Sequence, residues 1–236
     1  MVHFICFLNK NRREICDSHI RITNEALTSN MFSSVQCFSE DDFDPEWKQR
    51  NELFIKNNTR GYGYWIWKPQ IILQVLKTLE EDEVLVYADC GCEIQYSPRI
   101  HDYKEILKTK DMIAFSCISL GFTDRKFCKK DLLDFLNHTE DTFHLEATSI
   151  IIKKNNRTIR FLERWVELCE VNNHHFVDDS PSVSPNFQEF IEHRHDQSIF
   201  SLLVKKEQNA CVLYSELYNK QAFPIHGARN HVQYKE

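Results

Sequence analysis

The stretch "VLVYADCGCEI", Val84–Ile94, opens with five apolar strand formers and then breaks into an aspartate, a cysteine, a glycine, a cysteine and a glutamate. A short continuous apolar run closed by turn residues is the pattern of a strand buried on both faces. Strands of that kind belong to sheets covered by helices on both sides, where ligands bind beyond the carboxyl ends of the strands. Asp89 falls at such an end, and Gly91 offers a turn that could bring Glu93 back beside it. Two chemistries are open here. Asp89 and Glu93 could hold Mg²⁺ or Mn²⁺, which take oxygen ligands and share them with phosphates. Alternatively, Cys90 and Cys92 could form a metal or redox site. Their C-x-C spacing has no partner pair at a zinc-ribbon distance, and alternation points both thiols one way, into a core. The plain reading of Asp89 is a turn cap.

Outward from this strand, strands and helices alternate. Strands are expected at Val2–Leu8, at "SSVQCF", at "DMIAFSCI", at "ATSIIIKK" and at Ala210–Tyr214. Helices are expected around Cys16–Leu27, in "PEWKQRNELFIKNN" with proline in its first turn, and in "KKDLLDFLN", "RTIRFLERWVELCEVNN" and "HDQSIFSLLVKK". "KPQIILQVLKTLEE" carries Ile71, Ile72, Val75, Leu76 and Leu79 as one helical stripe. This alternation predicts an α/β fold with a mainly parallel sheet flanked by helices. The polar, proline-broken "NHHFVDDSPSVSPN", 173–186, is the expected mobile loop over the site.

The 236 residues are 42% hydrophobic and 27% charged, an ordinary globular composition. A net charge of −6 speaks against nucleic acid bound across the whole surface. No apolar run reaches the roughly eighteen residues of a membrane span, and the start of the chain lacks the order of a signal peptide. Nine cysteines, mostly inside predicted elements, read as reduced thiols. A cytoplasmic location is therefore expected.

Three further stretches carry chemistry. "RGYGYWIWKPQ", 60–70, gathers glycines, aromatics and Lys68 at a helix start, where phosphate finds free amides and a positive dipole end. Tyr64 or Trp67 could stack on a base or sugar; the alternative is an aromatic core with a solvated lysine. In "EHRHDQSIFSLL", Glu192 and Asp196 are spaced to share a helix face, and Asp196 could orient or deprotonate a hydroxyl. In "FPIHGARNH", His226 could ligate a metal and Arg229 could touch a diphosphate; the alternative is a frayed terminus.

Taken together, "GYGYWIWKP", "YADCGCEI", "HLEATSIIIKK" and "HRHDQSIFSLL" resemble small nucleotide-sugar glycosyltransferases of the GT-A fold, of the kind found in bacterial polysaccharide clusters and large DNA viruses. The resemblance implies a single domain over 1–236, with a nucleotide-binding half at about 1–100 and an acceptor half at about 101–236. It implies a Mn²⁺ or Mg²⁺ site on a D-x-D motif, here Asp89-Cys90-Gly91, so that Glu93 stands in for the second aspartate and His226 completes the shell. Lys68 matches a donor-binding lysine, with Tyr64, Trp67, Asp89, Gly91 and Arg229 on the donor side. Ala147, Thr148 and Gln197 lie toward the acceptor, and Asp196, then Asp179, are the candidate bases for an inverting enzyme, whereas a retaining one needs none. The implied reaction moves a sugar from a nucleoside diphosphate, with uridine the expected base, to a glycan hydroxyl; an enzyme of viral type would act in the host cytoplasm. A nucleotide-sugar hydrolase or phosphotransferase, and a non-catalytic carbohydrate-binding protein, are the rival functions.

Overall fold

The computed structural model describes residues 1–10, 13–207, 209–214, 216–219 and 222–228. In chain order the elements are β1 (Val2–Leu8), α1 (Arg13–Thr28), β2 (Ser34–Ser39), α2 (Pro45–Asn57), α3 (Gly61–Tyr64), α4 (Trp67–Thr78) and β3 (Val84–Ala88). They continue with β4 (Glu93–Ile94), α5 (Arg99–Thr109), β5 (Met112–Ser116), α6 (Asp124–Phe127), α7 (Lys130–Phe135) and β6 (Leu145–Lys153). The chain closes with α8 (Asn156–Glu170), α9 (His195–Glu207), β7 (Ala210–Tyr214) and β8 (Ile225–His226).

The main sheet has six strands in the order β2-β1-β3-β6-β5-β7. β1 runs parallel to β2 and β3, and β5 runs parallel to β7. β6 is antiparallel to both of its neighbours, β3 and β5. Alternate residues of β1 feed two cores: Ile5 and Phe7 join α4, α8 and α9, while Phe4 and Cys6 join α1 and α5. Both faces of the central strands are dry, which is why "VLVYA" reads as an unbroken apolar run.

Local chemistry places the helices. Asp44 caps α2 by accepting the Trp47 amide at 2.8 Å, with Pro45 at the first position. Asn155 and Thr158 form a reciprocal capping box at the start of α8. α8 stops at Glu170 rather than running through the expected asparagines, because Asn172 and Asn173 take left-handed angles. α9 starts at His195, so Glu192 lies ahead of the helix and shares no helix face with Asp196.

α3 differs most from expectation. Gly61, Tyr62, Gly63, Tyr64 and Trp65 all have positive φ, between 53° and 80°. The segment is one turn of left-handed helix running straight into α4. Each of its three non-glycine residues costs about 1–2 kcal/mol in that conformation. Strain of this size persists where the surroundings hold it, and it gathers at functional sites.

The expected mobile loop is tied down. Buried Lys129 donates to His175 O at 2.8 Å, Asp178 Oδ1 at 2.7 Å and Ser180 Oγ at 3.2 Å. Asp131 accepts the amides of Val183 and Ser184 and faces His175 Nε2 at 2.7 Å. The first turn of α7 thus holds this loop in place.

Among the described residues, no helix is long and apolar enough to cross a membrane.

Candidate active site

The site begins where β3 ends. The Asp89 amide continues the ladder by donating to Thr148 O at 2.9 Å, and the Cys92 amide closes a turn onto Asp89 O at 2.8 Å. Tyr87 and Asp89 are two apart and share a face, so the Tyr87 hydroxyl reaches Asp89 Oδ1 at 2.6 Å. The two cysteines of this turn are buried. Cys90 donates to Phe7 O at 2.9 Å, and burial pushes the Cys92 thiol well up. They are core thiols here.

Lys68, in the first turn of α4, is 3% exposed. Its ammonium sits 3.2 Å from Asp89 Oδ1, 3.3 Å from Asp196 Oδ2 and 3.1 Å from Ala147 O. The Lys68 amide is spent on Trp65 O and Pro69 has no amide, so at these two positions it is the lysine side chain that the cavity is offered. Burial pulls Lys68 down, but Asp196 and then Asp89 outweigh it and the amine is held above its ordinary value. For Asp196, 3% exposed, burial wins: it is pushed up to about 7 despite Lys68, with Asp89 adding to the rise. A carboxylate whose pKa lies near neutrality can take up or release a proton at working pH.

These groups share a cavity of about 440 Å³, lined also by Gly91, Thr148, Gln197 and Trp67. That volume suits a small organic ligand. Trp67 is committed to the core on two sides, stacked on Phe7 at 3.8 Å and donating its indole N–H to Gly61 O. Thr148 gives its hydroxyl to Glu146 Oε2 at 3.1 Å, and Gln197 Nε2 lies 4.0 Å from Cys117 Sγ. Ala147 contributes its carbonyl; its side chain is buried in the core. Tyr64 stacks on His195 at 4.7 Å. Asp179 is half exposed and pairs with Arg60 at 3.2 Å.

The residues expected to hold a metal divide. Asp89 faces the cavity. Glu93 and His226 are ladder partners in the small β4–β8 sheet, with Glu93 Oε2 and His226 Nδ1 3.8 Å apart, and neither lines the cavity. Arg229 lies outside the described residues. Among the described residues, the three-ligand group that closes within 4.8 Å is Asp124, Cys128 and His144, all buried. Asp124 there is already met by His144 at 3.0 Å, His138 at 3.2 Å, Ser201 at 3.0 Å, Thr142 at 2.7 Å and the Lys205 ammonium. Those partners hold its carboxyl far below the usual range against the pull of burial. An ammonium already in contact makes this group a structural knot between α6 and α9.

Sequence reasoning gave four residues no place in the site, weighing His195 only as a weak metal pair with His193 because residues two apart on a helix diverge. Arg60, Arg194 and His195 line the cavity, and Glu146 lies buried beside Thr148. Arg60 and His195 lie inside the motifs at 60–70 and 192–203, so their place in those motifs was their one signal. Arg194 pairs with Glu192 at 3.0 Å, and its guanidinium stacks on Phe122 and Phe127.

No family model matches this sequence, and no curated protein matches it closely enough to count. Solved structures do. The galactosyltransferase LgtC, solved with donor and acceptor sugar analogs, is 12% identical with a TM-score of 0.51, over 91% of this chain and 74% of LgtC. The chain has a GT-A glycosyltransferase fold. A glycosyltransferase for the major capsid of PBCV-1 is 8% identical with a TM-score of 0.49, over 95% of this chain and 91% of that one. GlyE of Streptococcus pneumoniae is 12% identical with a TM-score of 0.47 over 92% of this chain, which spans 46% of GlyE. At such identities the likeness is one of fold.

Proposed function

We propose that this cavity binds a nucleoside-diphosphate sugar, with uridine the base, and transfers the sugar to a hydroxyl of a glycan. The observation that carries the reading is Lys68, which joins a carboxylate from the end of β3 to one from the start of α9 inside one ligand-sized cavity of a GT-A sheet. On this reading residues 1–100 serve the nucleotide and 101–236 the acceptor, as one domain.

In the reaction, the bond from the anomeric carbon to the diphosphate oxygen breaks while an acceptor hydroxyl attacks that carbon. The leaving group gathers negative charge, and a preformed ammonium needs no reorganisation to meet it. Lys68 is such a group, fixed by three contacts. Asp196, with its proton affinity near neutrality, takes the proton of the attacking hydroxyl. Asp179 is the second choice of base and would have to work from the rim, where Arg60 holds it. Thr148 and Gln197 border the acceptor side.

Charge balance bears on the metal. The lining cations are already matched: Lys68 by Asp89 and Asp196, Arg60 by Asp179, and Arg194 by Glu192. A diphosphate needs further positive charge. The contacts to Tyr87 and Lys68 both use Asp89 Oδ1, leaving Oδ2 for a ligand. Asp89 therefore fits a Mg²⁺ or Mn²⁺ and would hold it through Oδ2. A three-residue shell of Asp89, Glu93 and His226 does not fit this arrangement. When bound, the ion would offset charge on the departing diphosphate.

The test is Asp89→Ala with a panel of UDP, GDP, CDP and their sugars, with and without Mn²⁺. The parent should be stabilised by one nucleotide and turn over its sugar. The variant should stay folded with a lowered melting temperature, since buried Lys68 keeps Asp196 but loses one of its two carboxylate partners. It should lose transfer. Turnover within a few-fold of the parent would refute the role of Asp89. Donor breakdown that ignores every glycan would mark a hydrolase instead.

A further inference from the structure

His195 is the first residue of α9, and it takes a left-handed φ of 53°. It is 3% exposed, yet it lines the cavity. Its ring is packed against two aromatic rings and held at one nitrogen. Tyr64 stacks on it at 4.7 Å, Trp65 lies at 5.6 Å, and Nδ1 is 2.8 Å from Val177 O. A carbonyl only accepts, so Nδ1 carries the hydrogen and the neutral ring leaves Nε2 as a bare acceptor. Burial, which pulls His195 below its ordinary value, keeps the ring neutral. Nε2 is buried and makes no hydrogen bond. Its neighbour His193 shows the contrast: both of its ring nitrogens are used, on the Lys129 amide and on Phe176 O. Leaving a buried acceptor unmet is costly, and here the acceptor belongs to a cavity-lining residue held in a strained conformation.

We propose that His195 is a recognition residue whose Nε2 accepts a hydrogen bond from a sugar hydroxyl bound in the cavity. This rests on the glycosyl-transfer reading and deepens it. Asp179 Oδ1 is 3.8 Å from Nε2 and is itself an acceptor, so the gap calls for a donor. Arg60, on Asp179, brings an N–H to the same corner. A hydroxyl, which both donates and accepts, satisfies that pair.

His195→Asn separates anchor from acceptor. Asparagine tolerates positive φ and its amide can still donate to Val177 O, but nothing reaches the Nε2 position. Binding of the nucleoside diphosphate, of its sugar, and of free mono- and disaccharides is measured by calorimetry and ligand-observed NMR. The expected result is affinity for one sugar-bearing ligand reduced about five- to tenfold, with nucleoside diphosphate unchanged. A loss with the nucleotide sugar assigns the hydroxyl to the donor, and a loss with free saccharides alone assigns it to the acceptor. His195→Gln, which reaches the Nε2 position with an amide, should recover part of the loss. Equal weakening of nucleoside diphosphate and nucleotide sugar, or no change in any ligand, overturns the proposal while leaving glycosyl transfer standing. A parent protein that binds no nucleotide sugar ends the underlying reading, and the proposal with it.

Discussion

Replacing Asp196 with asparagine should make the protein more stable at alkaline pH and inactive. Burial raises Asp196 to about 7 in the folded chain, whereas an unfolded aspartate titrates at about 3.9. The folded state therefore holds this proton more tightly. The contribution of Asp196 favours the fold below about pH 4 and is lost as pH rises through 7. Spread over about three pH units at about 1.4 kcal/mol each, the loss comes to about 4 kcal/mol. That figure already includes the attraction to Lys68, since Lys68 is one of the causes of the net position of Asp196. The asparagine amide cannot ionise and escapes the loss. Other groups titrate alike in both proteins and cancel in the difference. The stability of Asp196→Asn relative to the parent should therefore rise by about 3–4 kcal/mol between pH 4.5 and 8.5, roughly 10 °C in melting temperature for a chain of this size. Urea denaturation at five pH values measures it, with sugar transfer assayed on the same samples. A difference that stays flat within about 1 kcal/mol across that range would show that Asp196 is not held as a reluctant anion.

Two further outcomes follow from packing. A Cβ on Gly63 would lie 2.8 Å from Ile55 Cγ1 at a φ of 80°, whereas one on Gly121, φ 65°, would meet open space. Gly63→Ala should thus cost roughly 2–5 kcal/mol and Gly121→Ala about 1–2 kcal/mol; equal losses by thermal denaturation would refute the crowding of the left-handed turn. Lys129→Met removes an ammonium with three partners in the 175–180 loop, so amide exchange over 175–184 should quicken at least about tenfold while β3 keeps its protection. Uniform acceleration across the chain would mean that Lys129 supports the whole fold instead.

Much of the architecture was legible. Val2–Leu8 and Val84–Ala88 form buried strands as their apolar runs predict, and Ile71, Ile72, Val75 and Leu76 are buried along α4 as the stripe predicts. Asp89 at a strand end and Asp196 at a helix start were visible because punctuation of periodicity is local. The convergence of Lys68 on both carboxylates was not, because it joins positions 68, 89 and 196 through the order of the sheet. The same holds for Lys129 and its loop, and for Glu93 and His226, which hydrophobic pattern alone never showed to be strand partners.

By itself, the sequence determined an α/β layering and the carboxylates that edge it, since both follow from period and from residues within a turn of one another. Tertiary structure alone decided which charges neutralise which, that "GYGYW" winds left-handed, and that one imidazole nitrogen is left bare. Those outcomes depend on burial and on distances between residues far apart in the chain, and local pattern carries no information about either.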